Sequence, residues 1–335
     1  MKLVRAELER LAARRFVQLM LALLVVAFAV TAVTTLVGSH QPSPGEIASA
    51  RQAAVEERQA LESTFQKCLT AMRGGLPPEE AESFPEDCSV FDPAQRERLP
   101  ATADHLQGVF NLADQARPLL YLLMAFLVLF GFLVGASYIG ADLATGGVVN
   151  LLIWRPRRLA VLGAKLGTLL GALTAVSVLA SAAYGGAFWL IGQTAGMPGE
   201  TGGDFWPSLG LIWARGVVLV LLVATAGFAI ATLGRRTAAA LGAVMAYAVV
   251  WELGLRVVVE VVGIPRGEDW MLSTYFDAWL TGQARLADST VCQHVSGYCD
   301  SSYVIGWESG LAVLLAVIGG LTLAAFAAFH RRDLI

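Results

Sequence analysis

The charged residues that could carry chemistry in this chain fall in a few places, and the densest group lies between residues 140 and 165. The stretch reads GADLATGGVVNLLIWRPRRLAVLGAK, and its charged residues are Asp142, Arg155, Arg157, Arg158 and Lys165. A basic group in a short loop between apolar runs is typical of the cytoplasmic side of a membrane protein. The apolar part, Val148–Trp154, suits a membrane surface, and Pro156 stops a single straight helix. The pattern predicts an interfacial helix, a break and a basic start to the next span.

A second group of ionisable residues lies inside apolar runs that are long enough to cross a membrane. It comprises Arg215, Glu252, Arg256 and Glu260. The last three are spaced four apart, which puts them on one side of a helix, and we expect Arg215 at a similar depth in the preceding span. Such charges usually face a cavity, so the group could form a substrate path or a proton relay. The alternative is structural: an ion-pair cluster, or a re-entrant outer hairpin that keeps the charges hydrated.

The histidines and the glycine-rich stretches argue against an enzyme. His40, His105, His294 and His330 fall outside the apolar runs or at their rim, so an intramembrane haem site or Ser–His dyad lacks its central residue. The stretch GAKLGT at 163–168 has its lysine in the wrong place for a P-loop. We therefore predict no catalytic residues, no metal site and no ATP hydrolysis by this chain alone.

Composition and hydropathy define the elements that carry these residues. The 335-residue chain is 56% hydrophobic and 15% charged, with a mean hydropathy of +0.61, which predicts a polytopic membrane protein. Six apolar runs are each long enough, at about 1.5 Å per residue, to cross a hydrocarbon core of about 30 Å. They are Phe16–Gly38, Pro118–Gly140, Leu166–Met197, Ser208–Gly234, Thr237–Gly263 and Glu308–Phe329. The predicted fold class is all-α with six transmembrane helices. A cleaved signal peptide is the alternative for the first run.

Polar segments precede or connect the spans. Residues 1–15 predict a basic amphipathic helix on the membrane surface, with a merely positive flank as the alternative. Residues 39–117 predict an extracytoplasmic insertion, in which a helix over 46–72 is followed by a proline-rich turn region and a second helix near Arg117. Residues 264–307 form a further extracytoplasmic loop with an aromatic belt. The predicted parts of the chain are residues 1–38, 39–117 and 118–335.

The short-loop charges and the cysteines point to the same orientation. Lysine and arginine concentrate in the N-terminal arm and in the loops after spans two and four, so both termini are predicted to be cytoplasmic. All four cysteines then fall on the opposite side, where an oxidising compartment permits disulfides. The local pairs Cys68–Cys88 and Cys292–Cys299 are favoured, and the two cross-loop connectivities are the alternatives.

The stretch from Gly140 to Lys165 also resembles the cytoplasmic segment of ABC-2 type permeases. In that family an acidic residue stands four before a glycine and is followed by a leucine pair, a proline–arginine element and a lysine. The matching residues here are Asp142, Gly146, Leu151, Leu152, Pro156, Arg157, Arg158 and Lys165. The resemblance implies that residues 142–158 form a coupling helix on a separate ATPase subunit, which would hold ATP and Mg. It also implies that residues 1–15 form an elbow helix before the first span.

The same resemblance implies a function and partners. The chain is expected to be the permease subunit of an ATP-driven exporter in a bacterial plasma membrane, working with a second copy or a paralogous permease and in contact with membrane lipid. Nucleic acid is not an expected partner, because carboxylates outnumber basic residues in the insertion. The alternatives are an ion-gradient-driven secondary transporter that uses the charges of spans four and five, and a membrane scaffold or sensor that binds an external partner through residues 39–117.

Overall fold

The chain folds as a bundle of long helices. Its computed structural model describes residues 2–81, 83–85, 87–96, 99–146, 158–288 and 302–331. Within this part, six helices are long and apolar enough to cross a membrane, which confirms the predicted all-α, six-span fold class. We call them spans one to six, and they are Arg15–Val37, Leu112–Ala144, Arg158–Thr194, Phe205–Gly234, Thr237–Val262 and Trp307–Arg331. The chain therefore has the elements of a multi-pass membrane protein.

Span two lies at the centre of the bundle and packs most extensively against span four. Glycines allow the close approach: a Cβ at Gly135 would overlap the carbonyl oxygen of Ala224, and one at Gly131 would lie 3.3 Å from the carbonyl oxygen of Val220. Spans two and four are also the most buried of the six, whereas spans one and five are the least buried. The bundle thus has a fixed central pair of helices with more exposed helices around it.

We expect Gly135→Ala to destabilise the bundle by about 1–3 kcal/mol, because the added methyl group forces spans two and four apart. Gly163→Ala is the matched control. A Cβ at Gly163 on span three meets no atom within 4 Å, so this change should be neutral or slightly stabilising through helix propensity. Thermal unfolding of the two detergent-purified variants, followed by tryptophan fluorescence, checks the difference. Equal thermal unfolding midpoints for Gly135→Ala and Gly163→Ala would contradict the close approach of spans two and four at Gly135.

Span five is interrupted by a π-helical segment. It is α-helical over Thr237–Ala246, π-helical over Tyr247–Leu253 and α-helical again over Gly254–Val262. A π turn adds a residue to each turn and rotates the following side chains around the helix axis, so spacing by four no longer keeps residues on one side. This matters for Glu252, which lies within the segment.

A short N-terminal helix, Lys2–Ala12, precedes span one and ends earlier than the predicted residue 15. Leu11 on this helix is buried in the same core as Tyr138 of span two and Leu162 of span three. The apolar side of the helix is therefore covered by the bases of two spans. This packing fixes the position of Glu7, which lies one turn before Leu11 on the same side.

The insertion between spans one and two begins with a long helix, as predicted. This insertion helix runs over Pro44–Met72 and starts with a capping box. The Ser43 hydroxyl accepts the Glu46 N–H at 3.3 Å, and the Glu46 carboxylate accepts the Ser43 N–H at 2.7 Å. Proline at the first helical position suits the start because its missing N–H needs no partner there.

The prediction of a second helix in the insertion is wrong for the described residues. After the insertion helix these residues form instead a helical turn, three 3-10 turns and a short strand β1. Their ranges are Pro78–Ala81, Cys88–Phe91, Pro93–Gln95, Thr102–His105 and Phe110–Asn111. Asp87 and Asp92 accept backbone N–H groups two residues ahead, which favours turns over a continuous helix. Asn111 caps span two, so Pro118 lies inside that span rather than at its start.

A disulfide and a pair of short strands hold the insertion in place. Cys68 on the insertion helix is bonded to Cys88, with both side chains buried, which confirms the local pairing. Cys292 and Cys299 lie outside the described residues. Strand β1 pairs in parallel with β2, Gly196–Met197, which directly follows span three. We call this side of the bundle the insertion end and the side that carries the N-terminal helix the basic end.

The capping box makes the insertion helix sensitive to acid. Hydrogen bonds from Ser43, and from His40, lower the pKa of Glu46 to about 2. Because the folded pKa is depressed, the stabilisation is complete above the ordinary glutamate pKa of about 4.3 and is lost as the pH falls towards about 2. We expect Glu46→Ala to speed amide exchange over residues 44–50 severalfold at pH 6, and the difference to disappear near pH 2. Glu62→Ala, on the exposed side of the same helix, is the control and should leave the amide exchange rates unchanged at both pH values. A difference that persists at pH 2 would contradict this account.

The loop between spans five and six is structured where it is described. A 3-10 turn, Gly267–Trp270, leads into a loop helix, Leu272–Thr281, and then into strand β3, Gln283–Ala287, which pairs with β4, Ser302–Gly306, in antiparallel fashion. The loop helix packs between spans four and six, where Trp279 shares a core with Leu219 and Leu314. A Cβ at Gly310 would lie 2.9 Å from the carbonyl oxygen of Tyr275, so glycine is needed for this contact.

Candidate functional site

The candidate site is a buried charge network at the basic end, centred on Lys165 of span three. The Lys165 ammonium donates to Glu7 Oε2 at 2.8 Å and to Asp142 Oδ2 at 2.7 Å. The side chains of Lys165 and Glu7 are each 2% exposed, and that of Asp142 is 20% exposed. One ammonium therefore joins the N-terminal helix, span two and span three.

Arg14 and Tyr138 complete the network. The Tyr138 hydroxyl donates to Glu7 Oε2 at 2.5 Å, and the Arg14 guanidinium donates to Asp142 Oδ1. Arg14 also donates to the Tyr138 carbonyl oxygen at 2.9 Å. The Tyr138 ring contacts both cations, with Arg14 Cζ at 5.0 Å and Lys165 Nζ at 4.9 Å from its centroid, so cation–π attraction adds to the ion pairs.

The opposite charges of this network are paired, which lowers the free-energy cost of burying them. Two carboxylates, Glu7 and Asp142, face two cations, Arg14 and Lys165, and Arg10 adds a peripheral contact to Glu7 at 3.3 Å. Burial by itself raises the pKa of Glu7, but the hydrogen bonds from Lys165 and Tyr138 outweigh it and hold this pKa below its ordinary value. Glu7 is therefore ionised at neutral pH. A network whose charges are all paired acts as a clamp between helices rather than as an acid–base site.

The structure brings together two of the residues that the sequence singled out, Asp142 and Lys165. Gly146 follows the end of span two with a φ of 72°, in the left-handed region that glycine favours, and Arg158 is the first residue of span three. The other predicted coupling residues, Leu151, Leu152, Pro156 and Arg157, lie outside the described residues.

Sequence reasoning missed Glu7, Arg14 and Tyr138. A signal for Glu7 was present, because it falls on the apolar side of the N-terminal helix, one turn before Leu11, where a carboxylate needs a buried cation. Lys165 could have supplied the matching signal, since a lysine at the start of a span that packs at its basic end needs an anion. Arg14 and Tyr138 had no comparable signal, because their roles depend on how three helices meet.

The predicted charge cluster of spans four and five is not assembled among the described residues. Arg215 makes no ion pair with Glu252 or Glu260; its guanidinium instead lies 5.7 Å from the Trp279 ring centroid and 5.5 Å from that of Trp307. The Trp279 indole N–H donates to the Arg215 carbonyl oxygen at 2.9 Å. The loop helix and span six thus occupy the place where the sequence predicted carboxylates.

Glu252 has other partners as well. Its carboxylate accepts the Tyr247 hydroxyl at 2.7 Å and the Ser273 N–H and hydroxyl at 3.0 and 2.7 Å. These contacts tie the π segment of span five to the loop helix, whereas the side chains of Arg256 and Glu260 beyond that segment are exposed. The arrangement suits a structural role for Glu252. Within the described ranges, no group of three or more histidine, cysteine or acidic residues is placed to hold a metal ion.

Comparison with protein-family models, with curated proteins and with solved structures finds no match to this chain.

Proposed function

We propose that this chain is the permease subunit of an ABC-2 type transporter, driven by a separate ATPase that docks on residues 142–158. The observation that carries the proposal is the contact of Lys165 with both Asp142 and Glu7. The acidic residue and the lysine that flank the family-like segment thus bind each other and the N-terminal helix. The six spans and the basic character of this end also support it.

The network suggests how a push on the segment would reach the membrane. Span two ends at Ala144 and span three begins at Arg158, and the salt bridge between Asp142 and Lys165 braces the two helices within two turns of these points. A force applied to the segment then moves spans two and three and the N-terminal helix as one unit. Because span two packs closely on span four, the movement would be passed on to the centre of the bundle.

The remaining parts of the proposal follow from the resemblance and from the charge distribution. The basic end would face the cytoplasm of a bacterial cell and the insertion end would face outward, where the Cys68–Cys88 disulfide is stable. A second copy or a paralogous permease would complete the transport path, and ATP and Mg would be held by the ATPase. Transport would be outward.

The proposal is tested by purifying the tagged chain from its native host in mild detergent and identifying what comes with it. We expect a P-loop ATPase in stoichiometric amount. The double variant Leu151→Asp, Leu152→Asp should reduce its recovery by about tenfold or more, because two apolar contacts of a docking helix are replaced by charges. Leu99→Asp, the same change at an exposed residue of the insertion, is the control and should not alter recovery.

Two results would count against the proposal. The first is a chain that elutes without any ATPase from membranes in which it is abundant. The second is an ATPase that stays bound equally well to the Leu151, Leu152 double variant and to the Leu99 control. In either case gradient-driven transport becomes the leading alternative, and uptake or efflux should then be measured in vesicles with an imposed ion gradient and no ATP.

A further inference from the structure

An apolar cavity of about 250 Å³ lies between spans two, three and four near the insertion end. Its walls include Leu120 from span two, Phe188 from span three and Leu209 from span four. The cavity volume is close to the lower end of the range, roughly 300–1,000 Å³, that small-ligand pockets have in proteins. Two tryptophans on its rim, Trp189 and Trp206, are 50% and 52% exposed, so the cavity opens sideways between helices rather than into the bundle.

Two polar atoms on the cavity wall, Ser181 Oγ and Trp213 Nε1, are buried without a hydrogen-bond partner among the described residues. Tyr184, which also lines the cavity, is only 5% exposed, and its hydroxyl lies beside the Thr31 hydroxyl, which can accept its proton. Leaving buried polar groups unpaired is costly, so the two unpaired atoms on one cavity wall indicate that a polar atom belongs there.

The hydrogen-bonding groups on the cavity wall restrict which kind of polar atom can lie there. An indole N–H can only donate, so the partner of Trp213 must be an acceptor, whereas the hydroxyls of Ser181 and Tyr184 can donate or accept. The rest of the wall is apolar. An occupant that satisfies both conditions is a hydrocarbon chain that carries an ester, amide or carboxyl oxygen.

A second, polar cavity of about 680 Å³ adjoins the first at the insertion end. Phe205 lines both cavities. The polar cavity is lined on one side by the insertion and carries charges of both signs, from Arg58 on the insertion helix, Asp114 at the start of span two and Glu200 before span four. An apolar cavity that shares a wall residue with a cavity carrying both charges matches an amphipathic molecule with a zwitterionic head.

We propose that the two adjoining cavities bind one membrane lipid, with an acyl chain among spans two, three and four, its carbonyl oxygen at Trp213, and its head beneath the insertion. The sideways opening between Trp189 and Trp206 gives the lipid a route from the surrounding bilayer, where tryptophan side chains favour the headgroup level. This site does not depend on coupling to an ATPase. Lipid binding can therefore succeed or fail separately from the proposed function.

The test is photolabelling of the full chain in nanodiscs that contain a trace of phosphatidylethanolamine with a diazirine on its acyl chain. Peptide mass spectrometry should find the label concentrated in residues 181–189 and 205–213. Gly185→Leu should reduce this label by about fivefold or more, because Gly185 lines the cavity, has no atom within 4 Å of a Cβ, and the added side chain fills the space. Gly186→Leu is the matched control, because its neighbouring glycine is not part of the cavity wall and is equally unobstructed.

Two further arms separate the parts of the proposal. Trp213→Phe removes the N–H and keeps most of the ring, and should weaken labelling by about two- to tenfold. A diazirine fatty acid, which lacks the zwitterionic head, should label the same peptides less than the phospholipid does. Equal labelling by the fatty acid would show that the polar cavity takes no part.

The proposal is overturned if the phospholipid label spreads evenly over lipid-facing helices, including exposed residues of span one such as Leu19 and Val30, or if Gly185→Leu labels as strongly as Gly186→Leu. Size-exclusion profiles of all variants in the nanodisc establish that each is folded and monodisperse. If Gly185→Leu fails this check, Gly210→Leu replaces it, since Gly210 lines the same cavity from span four and is also unobstructed.

Discussion

Lys165→Met should destabilise the chain by about 3–5 kcal/mol, the largest effect that we expect from a single substitution at the basic end. Among the described residues, the change removes the cation that contacts both Glu7 and Asp142, and it preserves the shape of an unbranched side chain. Of the described contacts, Glu7 then keeps those with the Tyr138 hydroxyl and the peripheral Arg10, so we expect it either to take up a proton or to leave the core. We expect the N-terminal helix to detach from spans two and three.

Two measurements check this expectation. The thermal midpoint of the detergent-purified protein should fall, and amide exchange over residues 2–12 should become fast while spans two and four stay protected. Lys67→Met is the matched control, because Lys67 is exposed on the insertion helix and its loss leaves no buried anion. The double variant Lys165→Met, Glu7→Gln should recover part of the loss, since it removes the uncompensated carboxylate.

The outcome shows whether the charge network stabilises the packing of the N-terminal helix on spans two and three. If Lys165→Met and Lys67→Met melt together and protect residues 2–12 equally, the network contributes no stability and cannot brace the segment at 147–157. If the N-terminal helix detaches as expected, the same variant becomes a tool for the proposed function. It should still insert into the membrane and still bind an ATPase, but it should transmit the ATPase movement poorly.

The features that could be predicted from the sequence are those that depend on residues near one another in the chain. Span positions followed from continuous apolar runs, because a helix in a membrane satisfies its backbone internally and needs only length and apolarity. The insertion helix followed from its apolar spacing and from proline at its start. The pairing of Cys68 with Cys88 followed from a separation of 20 residues and a turn region between them.

The features that could not be predicted depend on how distant segments meet. Glu7 and Lys165 are 158 residues apart, and nothing local to either names the other. Arg215 was expected to find carboxylates because charges in apolar surroundings need partners, yet its guanidinium lies against the rings of Trp279 and Trp307 instead. The expectation that residues four apart lie on one side of the helix failed at Glu252, because the π segment of span five changes the number of residues per turn.

Removal of the Cys68–Cys88 disulfide should cost the insertion about 3 kcal/mol. The estimate follows from loop-closure entropy for a separation of 20 residues, because the bond restricts the unfolded segment more than the folded one. Between Met72 and Cys88 the described residues form one short helical turn, Pro78–Ala81, so no long helix or strand holds this segment once the bond is removed. Cys68→Ala with Cys88→Ala should therefore leave residues 73–96 open to exchange and to proteolysis.

The loss should remain local, which distinguishes it from the effect of Lys165→Met. The insertion is fastened to the bundle separately, through the pairing of β1 with β2 and the contacts of Ser39, so the spans should keep their thermal midpoint. Cys292→Ala with Cys299→Ala is the control, because it removes the other two cysteines of the chain and should leave residues 73–96 protected. Unchanged protection in the Cys68, Cys88 double variant would mean that the packing of the turns around the insertion helix holds the segment without the bond. A fall in the midpoint of the whole bundle would mean instead that the insertion and the spans unfold as one unit.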